Sequence, residues 1–257
     1  LVGRGLLGVR LAGLTLRDTA ALAMWARELG AYALPVPGIA PDPALTLGDH
    51  MEMGGGDPGC RTIGLCITSP AALRYHSDKA PRRDMAGWYL ALAEELYRRG
   101  YRVQGFTTGA VEDSVFAEGL AVDFARRTGG GTIAQPDSAQ EMVTLIHGCL
   151  AVVSHRLHAV IVAYVRAIPA LALAWDSKMA GQMAMMGHAD RLVDPAGLEP
   201  LAAADLVEAI MAQGIDEARR DSLVEDARRA TRRLALALRE AAARKASGRK
   251  AVVREDA

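Results

Sequence analysis

Two short apolar runs near the middle of this 257-residue chain, residues 150–153 and 170–175, limit the folds that it can adopt. Apolar runs of this length are typical of buried strands in a parallel sheet. The residues between them have the pattern of a helix that begins after Ser154, a favoured N-cap residue, and ends ahead of Pro169. Since parallel strands need a crossover connection, the stretch predicts a strand–helix–strand unit of an α/β protein.

The rest of the region from residue 60 to residue 214 repeats this alternation. Further strands are predicted at residues 61–67, 101–107, 131–134 and 191–193. Further helices are predicted at residues 84–99, 111–127, 138–148 and 203–213. Repeated strand–helix units of this length favour a right-handed, doubly wound parallel sheet.

Charged and polar side chains follow the two apolar runs at the point where each predicted strand ends. Arg156 and His158 fall in the first turn of the helix after the first run, and Asp176 and Lys178 follow the second run. The carboxyl ends of parallel strands meet at one edge of a sheet, where open α/β sheets bind their ligands. A helix N-terminus carries unpaired N–H groups and about half a positive charge, so cations added there predict a phosphate or carboxylate site.

Two motifs contain these residues: S-x-R-L-H at residues 154–158 and I-P-x-L-A-L-x-W-D-x-K at residues 168–178. Upstream, in order, come Leu16-Arg17-Asp18 before a helix, P-D-P-A-L at residues 41–45, and Glu112-Asp113 at the start of another helix. In this combination and order, the motifs resemble the polysaccharide pyruvyl transferase family. The resemblance covers residues 14–213.

This resemblance implies a two-domain α/β fold similar to the GT-B glycosyltransferases. It also implies transfer of a pyruvyl group from phosphoenolpyruvate to two sugar hydroxyls of a cell-surface polysaccharide precursor, as in exopolysaccharide biosynthesis. The products would be a ketal and phosphate. The donor substrate would be phosphoenolpyruvate, with no cofactor and no metal, and the acceptor a nucleotide- or lipid-linked saccharide. Two alternatives stay open: a nucleotide-sugar-dependent GT-B glycosyltransferase, and a non-catalytic remnant of the family.

In the implied reaction, a pocket for phosphoenolpyruvate needs several cations because this substrate carries both a phosphate and a carboxylate. An imidazole can protonate the methylene carbon or contact the phosphate, and a carboxylate can accept the proton of the sugar hydroxyl. The catalytic candidates are His158, Arg156 and Asp176. The substrate-binding candidates are Ser154, Arg156, Lys178, Arg17, Glu112 and Asp113, and the last two also join Asp176 as unranked candidates for the base.

Three of the cationic candidates, Arg156, His158 and Arg17, also have structural interpretations. Arg156 could pair with a carboxylate from a neighbouring loop instead of binding substrate. His158 could be a buried core histidine, because its neighbours along the helix are apolar. Arg17 could form an ion pair with Asp18 or Asp42.

Structural interpretations also exist for the other candidates. Lys178 could be an ordinary solvated lysine, and Glu112 and Asp113 are favourable in the first turn of any helix. His155 is expected to point away from the pocket. The long predicted loop at residues 68–83 could line it, since loops of that length are often functional.

The position of the motifs also predicts how the chain is divided. In the family a complete first domain precedes the Arg17-Asp18 element, whereas only about 14 residues precede it in this chain, which is therefore expected to be truncated. We predict the end of a first α/β domain at residues 1–50 and a glycine-rich linker at residues 51–59. Residues 60–214 would form the second, Rossmann-like domain with the anion site, and residues 215–257 a C-terminal helix with a basic tail.

Composition excludes other functional classes. The formal net charge is zero and aromatic residues make up 5% of the chain, so the basic face and stacking rings of nucleic-acid-binding proteins are missing. Cys60, Cys66 and Cys149 show no metal-binding spacing. We expect them to be reduced core thiols of a cytoplasmic protein.

No segment has the composition of a membrane span. The longest apolar stretch, residues 159–175, contains Arg166 and Pro169, and a span needs about 20 uninterrupted apolar residues. Residues from 216 onward predict one long amphipathic helix with more Lys and Arg than Asp and Glu. This helix could contact anionic lipid at the inner face of the membrane, or pack back on the domain with a solvated end.

Overall fold

The structure, a computed structural model, divides by its internal contacts into two compact units. The smaller unit comprises Leu1–Thr46 and Ser222–Ala257, and the larger unit comprises Leu47–Asp221. The structure describes residues 11, 13–32, 34, 36–51, 61–74 and 84–255. Apart from Met51, the predicted linker lies outside the described residues, and so does Cys60.

The smaller unit contains a short parallel strand pair with a helix between the strands. Strands β1 (Thr15–Leu16) and β2 (Gly38–Ile39) pair in parallel, and helix α1 (Thr19–Leu29) connects them. The Asp18 carboxylate accepts a hydrogen bond of 2.7 Å from the Ala21 amide and so caps α1 as an N-cap residue. The arrangement is a strand–helix–strand unit, and its assignment to the end of a first domain stays a prediction.

The larger unit is built on a six-stranded sheet in which all strands are parallel. The strands are β3 (Thr62–Cys66), β4 (Arg102–Phe106), β5 (Ile133–Ala134), β6 (Ala151–Ser154), β7 (Ala170–Leu173) and β8 (Leu192–Val193). Their order in the sheet is β5-β4-β3-β6-β7-β8. The predicted α/β class and the doubly wound parallel sheet are therefore confirmed.

Helices follow the strands as the sequence pattern predicts, and the ends of all but α7, for which no bounds were predicted, lie within three residues of the predicted ones. They are α3 (Met85–Arg98), α4 (Val111–Arg127), α5 (Ala139–His147), α6 (Leu157–Val165), α7 (Ser177–Met186) and α8 (Pro200–Gln213). One short helix, α2 (Pro70–Arg74), lies where a loop was predicted. The remainder of that loop, residues 75–83, lies outside the described residues.

The central strands are buried along their whole length because helices cover the sheet. Every residue of β3, β6 and β7 is buried. The largest core cluster joins these strands to α3, α4 and α8, and includes Ile63, Leu65, Trp88, Tyr89, Leu92, Leu96, Phe124, Val153, Leu171 and Val207. Burial of each large aliphatic side chain contributes about 1.5–3 kcal/mol. The sheet is therefore a rigid platform for the loops at its edges.

Helix α9 (Glu217–Glu255) forms the end of the chain, as predicted. It begins in the larger unit and continues in the smaller unit. Within the smaller unit, the Leu234 side chain lies next to Gly13, 3.1 Å from the position that a Cβ would take there. The predicted division of the chain at residue 215 stays a prediction. Among the described residues, no helix is both long and apolar enough to cross a membrane.

Candidate functional site

The strand order of the larger unit reverses between two neighbouring strands. Strand β3 comes first along this sheet, and it lies between β4 and β6. The connection that leaves β3 leads to β4, and the connection that leaves β6 leads to β7, towards the opposite end of the sheet. Such a switch point opens a crevice at the carboxyl edge, where doubly wound sheets bind ligands. The chain reaches this edge with Thr68 and Ser69 after β3 and with His155 and Arg156 after β6.

The start of α6 differs from the prediction that Ser154 is its N-cap. Ser154 is the last residue of β6 and is still paired in register with Cys66 of β3 and Ala172 of β7. The N-cap residue is Arg156, which is extended. The Ser154 hydroxyl instead accepts a hydrogen bond of 2.8 Å from the Arg156 amide. The prediction was wrong because the strand ladder continues through Ser154, whose side chain then holds the turn into the helix.

Arg156 forms an ion pair with Asp113 in the first turn of α4. Its Nε donates to Asp113 Oδ2 at 2.7 Å, and its Nη2 lies 2.6 Å from the same oxygen. The Asp113 side chain is fully buried and that of Arg156 is 19% exposed. Burial raises the pKa of Asp113, while the Ser69 amide and Arg156 act in the opposite sense. The structure therefore brings together Arg156 and Asp113, two of the predicted site residues. Their contact is the ion pair with a carboxylate that was the structural interpretation of Arg156.

Two more side chains surround the Arg156 guanidinium. The ring of Trp175, which follows β7, lies with its centroid 5.5 Å from the guanidinium carbon. Stacking of arginine on a tryptophan face is attractive and fixes the plane of the guanidinium. Glu112, predicted to bind substrate, is half-exposed and has its carboxylate 3.7 Å from Arg156 Nη2. Arg156 is thus held by residues from two other strand ends.

His158, Lys178 and Asp176 all lie at the starts of helices at this edge. His158 is exposed, so its interpretation as a buried core residue is wrong. Lys178 is also exposed, in the first turn of α7. Asp176 is the N-cap residue of α7, and its carboxylate accepts a hydrogen bond of 3.0 Å from the Met179 amide. Substrate contact by the two cations and a base role for Asp176 stay predictions.

A buried polar layer, missed by sequence reasoning, lies beneath Arg156. The Tyr89 hydroxyl is 2.8 Å from Nδ1 of His155 and also accepts the Thr68 amide at 3.3 Å. Burial, followed by the Arg156 charge, lowers the pKa of His155 to about 3. As expected, His155 does not share the exposed position of His158. Its partner could not be found from sequence because Tyr89 lies 66 residues away.

The cysteine nearest to this layer is Cys66 at the end of β3. Burial raises the pKa of its thiol to about 12, so the thiol is protonated at neutral pH. Cys66 and Cys149 are both buried, and neither forms a disulfide within the described part of the chain. Of the three predicted core thiols, the two that the structure describes are therefore confirmed as core thiols. The protonated Cys66 thiol lacks the character of a nucleophile.

Arg17, the remaining predicted cation, belongs to the smaller unit. Its Nη1 lies 3.4 Å from Asp42 Oδ2 and its Nε 3.7 Å from Asp18 Oδ2. The contacts of Arg17 in the smaller unit are therefore the ion pairs with Asp18 and Asp42 that formed its structural interpretation. Its contact with substrate stays a prediction.

Within the described part of the chain, no group of three or more His, Cys, Asp or Glu side chains is arranged to hold a metal ion. The site consists instead of cations, helix N-termini and a buried carboxylate. These groups can bind and orient an anion and exchange protons with it.

The fold and the site define a Rossmann-like α/β domain, with strand order 3-2-1-4-5-6 and a fixed cation at its switch point. Residues 9–177 match the family model described as Polysaccharide pyruvyl transferase. The match covers more than half of the chain, which therefore belongs to the polysaccharide pyruvyl transferase family. No match was found among curated proteins.

Several solved structures are similar to the chain at low identity. ADP-heptose LPS heptosyltransferase II of E. coli is 14% identical, with a TM-score of 0.45, and 73% of this chain matches 57% of it. TarM is 10% identical, with a TM-score of 0.43 and coverages of 85% and 40%. CalG4, the calicheamicin glycosyltransferase, is 14% identical, with a TM-score of 0.40 and coverages of 93% and 61%. The chain spans less than two thirds of each structure, and these likenesses carry no argument about substrate or reaction.

Proposed function

We propose that this protein transfers a pyruvyl group from phosphoenolpyruvate to two hydroxyls of a saccharide, and that the carboxyl edge of the larger unit binds the donor. The chain belongs to the polysaccharide pyruvyl transferase family, and one structural observation supports this proposal most strongly. Arg156 is held by Asp113 and Trp175 at the switch point of the sheet, where α6 begins. A buried edge that holds a cation in one orientation suits a small, doubly charged anion.

The start of α6 supplies further donors for an anion. Its N-cap residue, Arg156, makes no side-chain cap, and the first turn contains no acidic residue. The first amides of a helix have no partner within the helix, and the macrodipole favours negative charge near them. Arg156 Nη1 has no hydrogen-bond partner among the described residues. Each charge-assisted hydrogen bond to the donor would contribute about 1.5–3 kcal/mol.

The proposed chemistry forms two carbon–oxygen bonds and breaks one. A sugar hydroxyl attacks C2 of phosphoenolpyruvate, its proton passes to a base, and a proton is delivered to the C3 methylene, which becomes a methyl group. The second hydroxyl then attacks C2, loses its proton, and the C2–O bond to phosphate breaks with the electron pair leaving on phosphate. His158 is the proposed proton donor because it is exposed two residues from Arg156. Asp176, Glu112 and Asp113 were the candidates for the base, of which Asp176 and Glu112 reach the surface.

The same proposal names the partners of the reaction. The acceptor is a nucleotide- or lipid-linked precursor of a cell-surface polysaccharide, and the reaction needs no cofactor beyond the donor. Exposed Arg232, Arg233 and Arg239 of α9 are available for contact with anionic lipid at the inner face of the membrane. The proposed acceptor and lipid contact apply to the reaction of the whole protein, which we place in the cytoplasm as part of the proposal.

Release of inorganic phosphate from phosphoenolpyruvate tests this proposal. The protein is incubated with a panel of nucleotide- and lipid-linked saccharides, and the product is analysed by NMR for a ketal carbon and a new methyl group. Acceptor-dependent phosphate release with ketal formation supports pyruvyl transfer. Saturable binding of a nucleotide sugar, with no phosphate released on any acceptor, would favour the alternative of glycosyl transfer and contradict the proposal.

A further inference from the structure

We propose that Asp113 is a positioning residue that orients Arg156 towards the anionic donor, and that it neither contacts the substrate nor acts as the base. This inference rests on the proposed function, since it assumes that Arg156 binds phosphoenolpyruvate. It also removes Asp113 from the three acidic candidates for the base. The contacts of Asp113 carry the argument.

Both oxygens of the Asp113 carboxylate are already occupied. Oδ1 accepts the Ser69 amide at 2.8 Å, and Oδ2 accepts Arg156 Nε at 2.7 Å with Nη2 at 2.6 Å. The side chain is fully buried. A general base must come within hydrogen-bond reach of the proton that it accepts, directly or through one water. A buried carboxylate with three N–H groups around it does not meet that condition for a sugar hydroxyl.

The contact with Asp113 selects which part of the guanidinium is available. Asp113 takes the edge formed by Nε and Nη2, and the guanidinium carbon lies over the Trp175 ring, 5.5 Å from its centroid. The other terminal nitrogen, Nη1, has no hydrogen-bond partner in the described part of the chain. Because a guanidinium is planar and rigid, fixing one edge also fixes the direction of the remaining N–H groups. Asp113 therefore determines where Arg156 can place a bound anion.

The same carboxylate ties the loop after β3 to Arg156. The Ser69 amide is held by Asp113, and the preceding amide of Thr68 is held by the Tyr89 hydroxyl. Tyr89 in turn contacts His155, the neighbour of Arg156. The amides of Thr68 and Ser69, at the end of β3, are thus hydrogen-bonded to Tyr89 and Asp113. These two side chains in turn contact His155 and Arg156 at the end of β6. Loss of the Asp113 charge should disturb the orientation of Arg156 while leaving its charge in place.

Asp123 provides a control on the same helix, outside the candidate site. Its carboxylate pairs with Arg126 at 2.6 Å, and its side chain is 49% exposed. Exposed ion pairs contribute little, so removal of this charge should have a small effect. A comparison of Asp113→Asn with Asp123→Asn separates positioning of Arg156 from a general loss of negative charge on α4.

The test is a double-mutant cycle on phosphoenolpyruvate affinity, measured by calorimetry on wild type, Asp113→Asn, Arg156→Ala and the double variant. We expect Asp113→Asn and Arg156→Ala each to weaken binding about tenfold or more. The double variant should be no weaker than Arg156→Ala alone, because Asp113 acts through Arg156. Asp123→Asn should stay within about twofold of wild type. In turnover assays, Asp113→Asn should keep both limbs of the pH–rate profile, which loss of a base would not allow.

Additive effects in the cycle, or wild-type affinity in Asp113→Asn, would overturn the positioning role while leaving the proposed donor site intact. Wild-type affinity in Arg156→Ala would instead contradict the donor site itself, so the two failures can be told apart. If Asp113→Asn does not fold, Arg156→Lys decides, because lysine keeps the charge but cannot present two N–H groups to Asp113. We then expect the affinity of Arg156→Lys to approach that of Arg156→Ala, and wild-type affinity would overturn the inference.

Discussion

Substitution of His155 by asparagine should remove part of the acid sensitivity of the fold. His155 is buried and neutral, with its pKa lowered to about 3. In the unfolded chain a histidine has a pKa of about 6.5. Between these two values the unfolded state binds one more proton than the folded state, so stability is highest above pH 6.5 and is lost as the pH falls.

The two pKa values give the size of this effect. For a pKa of about 3 in the folded state and about 6.5 in the unfolded state, lowering the pH from 7 to 5 costs about 2 kcal/mol. The loss reaches about 4 kcal/mol at pH 3, where other groups also titrate. Asparagine places a polar atom close to the position of Nδ1 and does not titrate, so it can keep the contact with Tyr89.

Chemical denaturation at pH 7 and pH 5, followed by tryptophan fluorescence, measures the difference. We expect the free energy of unfolding of wild type to fall by about 2 kcal/mol more between these values than that of His155→Asn. His158→Asn serves as the control, because it replaces an exposed histidine three residues away and keeps the buried His155. An equal loss in wild type and His155→Asn would refute the buried, neutral state of His155.

Two further predictions concern the proton donor and the packing of the sheet. His158→Gln should retain the melting temperature and donor affinity of wild type but lower the single-turnover rate by about 10²–10⁴-fold, and a normal rate in a destabilised variant would contradict the acid role. Gly64→Ala should lower the free energy of unfolding by about 1–3 kcal/mol, because the new Cβ would lie 3.0 Å from Cys149 Sγ. Gly119→Ala should raise the free energy of unfolding by about 0.5–1 kcal/mol, because nothing lies within 4 Å of the new Cβ and alanine favours the helix. Denaturation of both variants checks this pair, and equal effects would count against the packing around β3.

The fold was largely predictable because its signals are local. Apolar runs such as those of β6 and β7 are buried on both faces of the sheet, so every residue in them is apolar or small. Helix ends carry equally local signals, such as Asp18 at the start of α1. The short helix α2 was missed because it occupies only five residues at the start of a long connection.

The site was predictable only in its outline. Sequence order alone places Arg156, His158 and Asp176 at one sheet edge, since each follows a strand. The pairing of Arg156 with Asp113 spans 43 residues and depends on β4 and β6 both neighbouring β3. No local pattern encodes such a contact. Ser154 was misassigned for a related reason, because register with neighbouring strands decides where a strand ends.

Titration of the protein with phosphoenolpyruvate tests the central claim most directly. Calorimetry on wild type, Arg156→Ala and Lys178→Ala, with Arg126→Ala as an exposed control on α4, measures whether the carboxyl edge binds the donor. We expect saturable binding that weakens about ten- to a hundredfold in Arg156→Ala, weakens also in Lys178→Ala, and is unchanged in Arg126→Ala. No binding to wild type, or equal binding to all four proteins, would contradict the account.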